Sequence, residues 1–174
     1  MKKTIFSLAA MLVSACGIHI HTYNSYSSYS ASSLSTALQW VGYHERTNRN
    51  ELIDFLGIDP VRIEWCAAFV NSVLASANIP GSDSVHRNPL LARSFLAWGN
   101  SVEFDQVEPG DIVVFLRGWA GWQGHVGFYV ETVEINGVEY WAILGGNQSN
   151  SVNIELYLPS RAIDVRRWST STET

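Results

Sequence analysis

The stretch HVGFYVETVEINGVEYWAIL, residues 125–144, contains two runs of strand-forming residues on either side of an Asn-Gly pair. β-branched and aromatic residues favour strands, and Asn136-Gly137 is a strong signal for a two-residue hairpin turn. A strand is also predicted before this hairpin, at residues 112–116, and two follow it, at 152–157 and 162–165. These patterns predict an antiparallel sheet of about five strands.

The segment before the sheet has the patterns of helices. One helical pattern begins at Thr36, and a second follows a capping signal at Asn48 and ends before Gly57. A third helix is predicted from about Trp65 to Asn78, because apolar residues recur there at helical spacing, and Cys66 lies at its start. N-terminal helices followed by an antiparallel sheet predict an α+β fold.

Length and composition favour a single globular domain. The chain has 174 residues, of which 47% are hydrophobic and 16% charged, and we place the domain at residues 36–168. Residues 169–174 are predicted to be a polar tail. The formal net charge is −5 and the chain has no Lys/Arg-rich run, so nucleic acid is not an expected partner.

Residues 1–15 have the features of an export signal. A lysine pair near the start is followed by an apolar run at residues 5–13 and by small residues before Cys16. The spacing resembles a bacterial lipobox, so we expect cleavage before Cys16 and attachment of a diacylglycerol to its sulfur. The alternative is an ordinary secretory signal whose cysteine is incidental. Because Gly17 rather than Asp follows the cysteine, the expected location in a Gram-negative envelope is the periplasmic side of the outer membrane.

Residues 16–35 are rich in Ser and Tyr and too polar to bury a face, so they are predicted to be a tether. His19 and His21 lie within it. Two histidines without a third ligand are more often solvated than metal-bound, so no metal site is predicted.

Cys66 is the candidate nucleophile. If Cys16 is lipidated, Cys66 is the one thiol left free, and a lone thiol in an exported protein is either buried and inert or used for chemistry. A helix N-terminus favours negative charge and lowers the pKa of a thiol placed there. The alternative is a small core residue.

His125 is the candidate general base, because it begins a strand with glycines close on both sides that leave room for a substrate. His44, in a polar helical stretch, and His86, in a loop, are weaker candidates. A structural histidine, held only by hydrogen bonds, is the alternative for His125.

The imidazole needs a polar group that fixes its tautomer. A regular hairpin through Asn136-Gly137 pairs His125 with Gln148, whereas a single bulge, which the glycines at 145 and 146 permit, brings Asn147 there instead. Geometry leaves both residues open as the group that orients His125.

Four sequence blocks occur in an order that resembles the CHAP and NlpC-type branch of papain-like cysteine amidases and peptidases. They are WCAAFVN (65–71), PGDIVVF (109–115), GHVGFY (124–129) and LGGNQ (144–148). The resemblance spans residues 36–168. It implies a papain-like fold in which a helix carrying the nucleophile packs on an antiparallel sheet. By motif, Cys66 is the nucleophile and His125 the general base and acid. For the third residue we take Asn147 as the first choice and Gln148 as the second.

The resemblance also implies the activity, which is cleavage of an amide bond in bacterial peptidoglycan without a cofactor. We expect a lipid-anchored wall hydrolase that acts as an endopeptidase or amidase, with Trp65, Trp122 and Gln148 near the substrate. A wall hydrolase endangers its host unless it is restrained, so a protein regulator is an expected partner. The alternatives are a non-catalytic envelope lipoprotein that binds wall peptides, and a phage or toxin lysis protein of the same chemistry.

Overall fold

The computed structural model describes residues 28–169, and its helices and antiparallel sheet confirm the α+β class. The elements are α1 (Ser28–Leu38), α2 (Arg49–Leu56), α3 (Cys66–Ser76), β1 (Asn100–Val102), β2 (Ile112–Leu116), β3 (Gly124–Ile135), β4 (Val138–Gln148), β5 (Ser151–Tyr157) and β6 (Ala162–Arg167). Short 3-10 helices lie at Ser82–Ser84, Ala92–Ala97, Phe104–Gln106 and Pro159–Arg161. The strand order is β1-β6-β2-β3-β4-β5, so the described sheet has six strands rather than about five. Strand β1 was missed because three residues are too few to give an alternating pattern.

Helix α1 begins inside the Ser-rich stretch whose composition predicts a tether, so that prediction is wrong for residues 28–35. Ser30, Ser33 and Ala37 are buried on one side of the helix. A Cβ on Gly110 would collide with the carbonyl oxygen of Ser30, so the helix backbone packs directly against the loop before β2. The small size of serine permits this close approach, and that outweighs its polarity.

Helices α2 and α3 confirm the predicted pattern. Helix α2 ends at Gly57, which adopts the left-handed conformation with φ 69° and donates its N–H to the carbonyl of Ile53. The Asn48 side chain accepts the N–H of His44 rather than an N–H of the helix. Helix α3 begins at Cys66, buries most of its length and packs across β3 and β4.

The two faces of the sheet bury different apolar clusters. The helix-side cluster includes Phe69 of α3 together with Val114, Phe128 and Leu144. The second cluster contains Val113, Phe115, Tyr129, Trp141, Ile143 and Val165. Successive side chains of a strand point to opposite faces, which explains why neighbours such as Val114 and Phe115 belong to different clusters.

The signal, the lipidation site at Cys16 and the histidines at positions 19 and 21 lie outside the described residues. So does the predicted tail, apart from Ser169. Within residues 28–169, no helix combines the length and apolar character needed to cross a bilayer.

Candidate active site

Cys66 is the first residue of α3 and is almost completely buried, with 4% of its surface exposed. The N–H of Val126, the residue after His125, lies within hydrogen-bonding reach of its sulfur. Helix α3 and strand β3 therefore bring the predicted nucleophile and the predicted base to adjacent positions. No hydrogen bond joins the thiol to the imidazole in the part of the chain described.

Burial raises the pKa of the Cys66 thiol, and the hydrogen bonds from the N–H groups of Val126 and Ala67 only oppose this effect. The expectation of a lowered thiol pKa at the helix N-terminus is therefore wrong for this structure. The reason is that removal of water destabilises the thiolate by more than the N–H groups at the helix N-terminus stabilise it. At neutral pH the Cys66 side chain is a neutral thiol.

His125 is also buried, with 3% of its surface exposed. Its ring stacks on Tyr157, with centroids 5.7 Å apart and planes at 16°. Burial lowers its pKa from 6.5 to about 4, and the hydrogen bond to Gln148 opposes that change. The imidazole is therefore neutral at neutral pH, when one ring nitrogen donates a hydrogen bond and the other accepts one.

Gln148 determines which nitrogen donates. Its amide nitrogen donates to the carbonyl of Ile143 at 3.2 Å and to two oxygens of Asn153 at 2.8 Å, so the amide is oriented by acceptors on that side. Its oxygen Oε1 therefore faces His125 Nε2, 2.9 Å away. Because Oε1 can only accept, Nε2 carries the proton and Nδ1 carries the lone pair. That Nδ1 is buried and has no hydrogen-bond partner among residues 28–169.

Asn147, the first choice for the third residue, does not share a hydrogen bond with His125 in the described structure. The pairing of β3 with β4 follows the regular hairpin register as far as Glu131, after which Val130 is an extra residue in β3. That shift alone would bring Asn147 opposite His125. Strand β4 also contains an extra residue, near Asn147, whose backbone is left-handed with φ 58°. The side chain that reaches His125 is nevertheless that of Gln148, which follows this irregular part of β4.

The side chain of Asn147 instead donates to Glu64 Oε2 at 2.6 Å. Glu64 immediately precedes the Trp-Cys pair, so this bond ties the end of β4 to the segment that leads into α3. Asn147 therefore acts on the chain near the nucleophile and not on the base.

Tyr157 is a residue of this site that the sequence patterns did not predict. Its hydroxyl donates to Gln148 Oε1 at 3.1 Å, while its ring stacks on both His125 and Phe115. The alternation of β5 indicates that Tyr157 faces one side of the sheet. Nothing local indicates that β5 lies beside β4 with Tyr157 level with the histidine, so no sequence signal could have identified it.

A cavity of about 390 Å³ adjoins Cys66. Its lining comprises Leu90, Leu91, Ala92, Arg117, Trp122 and Gln123, with Glu64, Gly118 and Gly124 at its margins. Trp122, a predicted substrate contact, lines this cavity, and its role stays a prediction. A second cavity of about 300 Å³ is lined by polar residues that include Glu45, Arg62, Asn147 and Asn150, and Glu64 borders both cavities.

The other two predicted substrate contacts are wrong. Trp65 is fully buried and its indole N–H donates to the buried carboxylate of Glu45 at 3.2 Å. Gln148 is 2% exposed and its polar atoms are bonded within the protein. Trp65 is thus a core residue, and Gln148 positions the imidazole.

The remaining described histidines lie outside the site. His44 accepts the N–H of Arg46, and His86 bonds to the backbone of Asn88. No group of three or more His, Cys, Asp or Glu side chains suited to a metal ion occurs in residues 28–169.

No model of a known protein family matches this chain, and a search of curated proteins found no relative.

Proposed function

We propose that the chain is a Cys–His hydrolase that cleaves an amide bond of peptidoglycan. The observation that supports this best is the state of His125. Its Nε2 proton is bonded to Gln148, and its buried Nδ1 lone pair has no donor in the described chain, while a thiol lies against the next residue along the strand. An unpaired buried acceptor is costly, and a base on the residue next to Val126 is the group that a nucleophilic mechanism at Cys66 requires.

In the proposed reaction Cys66 Sγ attacks the substrate carbonyl and its proton passes to His125 Nδ1. The tetrahedral intermediate collapses as the C–N bond breaks, and the leaving amine takes that proton. Water then attacks the thioester and gives a proton to Nδ1, and the thiol is regenerated when the C–S bond breaks and sulfur takes the proton. Because both groups are neutral at rest, the imidazole acts as a base during the attack rather than through a preformed ion pair.

The papain-like fold and the choice of peptidoglycan as substrate rest on the order of the four sequence blocks, which resembles CHAP and NlpC-type enzymes. The helix that begins with Cys66 and packs on β3 and β4 is compatible with that arrangement. The lipobox-like sequence at Cys16 supports a lipid-anchored location in the envelope, where peptidoglycan is accessible.

A second candidate is a non-catalytic module that binds wall peptides. The environment of Cys66 favours it. The thiol is 4% exposed, burial raises its pKa, and it has no hydrogen bond to the imidazole in the described structure. Such a thiol is poorly suited to attack until something moves it.

The test is incubation of the full chain, purified in detergent, with intact sacculi from bacteria of several peptide chemistries. Soluble products are identified by liquid chromatography and mass spectrometry. Wild type and a His86→Ala control should release the same fragments, and Cys66→Ala and His125→Ala should release none. Binding to sacculi by all four proteins without any product would instead establish the binding module.

A further inference from the structure

The cavity beside Cys66 contains one charged side chain whose hydrogen-bonding capacity is unused. Arg117 follows the end of β2 and lines this cavity. Among the described residues its guanidinium makes one ion pair, with Glu64 at 3.7 Å, and that distance is too long for a good hydrogen bond. Its five N–H donors therefore have no acceptor in the described part of the chain.

The neighbouring polar groups are already engaged. Glu64 Oε2 accepts from Asn147 at 2.6 Å. The side-chain oxygen of Gln123 accepts the N–H of Ala120, and its backbone oxygen accepts Arg93 Nε. Arg117 is thus the cavity group with the most capacity left for a ligand.

The ion pair with Glu64 would not prevent Arg117 from binding a ligand. The side chains of Arg117 and Glu64 are 52% and 78% exposed, and an exposed pair at this distance contributes little to stability because solvent screens it. A ligand carboxylate could displace Glu64 at little cost, because Glu64 keeps its shorter bond to Asn147.

The rest of the lining is mainly apolar and includes Leu90, Leu91, Ala92 and Trp122. A guanidinium binds a carboxylate through two parallel hydrogen bonds. Together these groups fit a ligand that has an acid group next to an apolar or aliphatic segment.

We propose that Arg117 is a specificity-determining residue that binds a free carboxylate of the peptide substrate while the adjoining part of the peptide lies against Leu90 and Trp122. This inference rests on the proposed function, since it names the substrate class of the same site. A peptide whose carboxylates have been amidated is then a poor ligand.

The test uses the full chain in detergent with Cys66→Ala, which binds without cleaving. The probes are stem peptides released from sacculi, one half untreated and one half coupled to ammonia with a carbodiimide, so that carboxylates become carboxamides. Isothermal titration calorimetry should give about ten-fold tighter binding of the free acids. Adding Arg117→Gln should reduce this ratio to about two-fold or less, whereas the exposed control Arg46→Gln should leave it unchanged.

An equal affinity for both peptide forms, a preference that survives Arg117→Gln, or no binding of either form would overturn the inference. Hydrolysis by wild type distinguishes a failure of this inference from a failure of the proposed function. Cys66-dependent cleavage of both peptide forms at the same kcat/KM would keep the hydrolase and remove the carboxylate site. Arg117-dependent selective binding without cleavage by wild type would keep the carboxylate site and remove the hydrolase.

Discussion

Acidification should destabilise the folded chain through His125. Burial lowers the pKa of this imidazole from 6.5 to about 4 in the folded protein, whereas unfolding returns it to its ordinary value. Between these two pH values the unfolded chain binds a proton that the folded chain does not. The stability is therefore complete above about pH 6.5 and is lost progressively as the pH falls toward 4.

The size of the effect follows from the two pKa values. Their difference of about 2.5 corresponds to about 3.4 kcal/mol at about 1.4 kcal/mol per pH unit. At pH 5 the folded imidazole is still mostly neutral and the unfolded one mostly charged, so the expected loss is about 2 kcal/mol relative to neutral pH. A typical domain is stable by about 5 to 15 kcal/mol, so this loss is readily measured.

Urea unfolding followed by tryptophan fluorescence at pH 7 and pH 5, at one ionic strength, measures it. The fall in the free energy of unfolding should be about 2 kcal/mol larger in wild type and in the control His86→Asn than in His125→Asn. A nuclear magnetic resonance titration of the His125 ring gives the pKa directly and does not depend on the variant folding. A midpoint near 6.5, or equal pH dependence in wild type and His125→Asn, would show that burial does not lower the pKa of this imidazole.

Three further predictions concern the site and its support. Gln148→Ala should cost about 1 to 3 kcal/mol of stability by leaving a buried ring N–H unpaired, and it should reduce hydrolysis of sacculi more than Asn147→Ala, with the reverse order contradicting the assignment. Gly146→Ala places a Cβ 2.6 Å from side-chain atoms of Phe69 and Trp65, so the melting temperature of this variant should fall. The melting temperature of the control Gly121→Ala, where the space is open, should not change. Asp111→Asn weakens the bidentate contact of Asp111 with Arg167, in which both bonds are 2.7 Å long. The free energy of unfolding in urea should fall by about 1.5 to 3 kcal/mol, and an unchanged midpoint would show that this contact does not stabilise the fold.

Local patterns predicted the elements that present the two candidate groups. The spacing of apolar residues and the turn residues nearby predict three of these features: the start of α3 at Cys66, the end of α2 at Gly57 and the hairpin through Asn136-Gly137. Composition was a poorer guide at α1. A Ser-rich run has no apolar stripe, so its packing against the loop at Gly110 could not be predicted from hydropathy.

The partner of His125 could not be decided from sequence, because the register depends on two bulges in neighbouring strands. The extra residue in β3 would bring Asn147 opposite His125, and β4 has a second irregularity near Asn147 where it pairs with β5. The tertiary structure also places Tyr157 on the imidazole, although it is distant from His125 in sequence.

The α+β class, the helix that starts at Cys66 and the strand that starts near His125 could be predicted from sequence, because backbone conformation over a few residues follows from local spacing and turn chemistry. The protonation states, the choice of Gln148 over Asn147, and the place of Arg117 in the cavity depend on the folded chain. Desolvation and hydrogen bonding depend on atoms that are remote along the chain and close in space, so they raise the pKa of Cys66 and lower that of His125 in a way that no local pattern encodes.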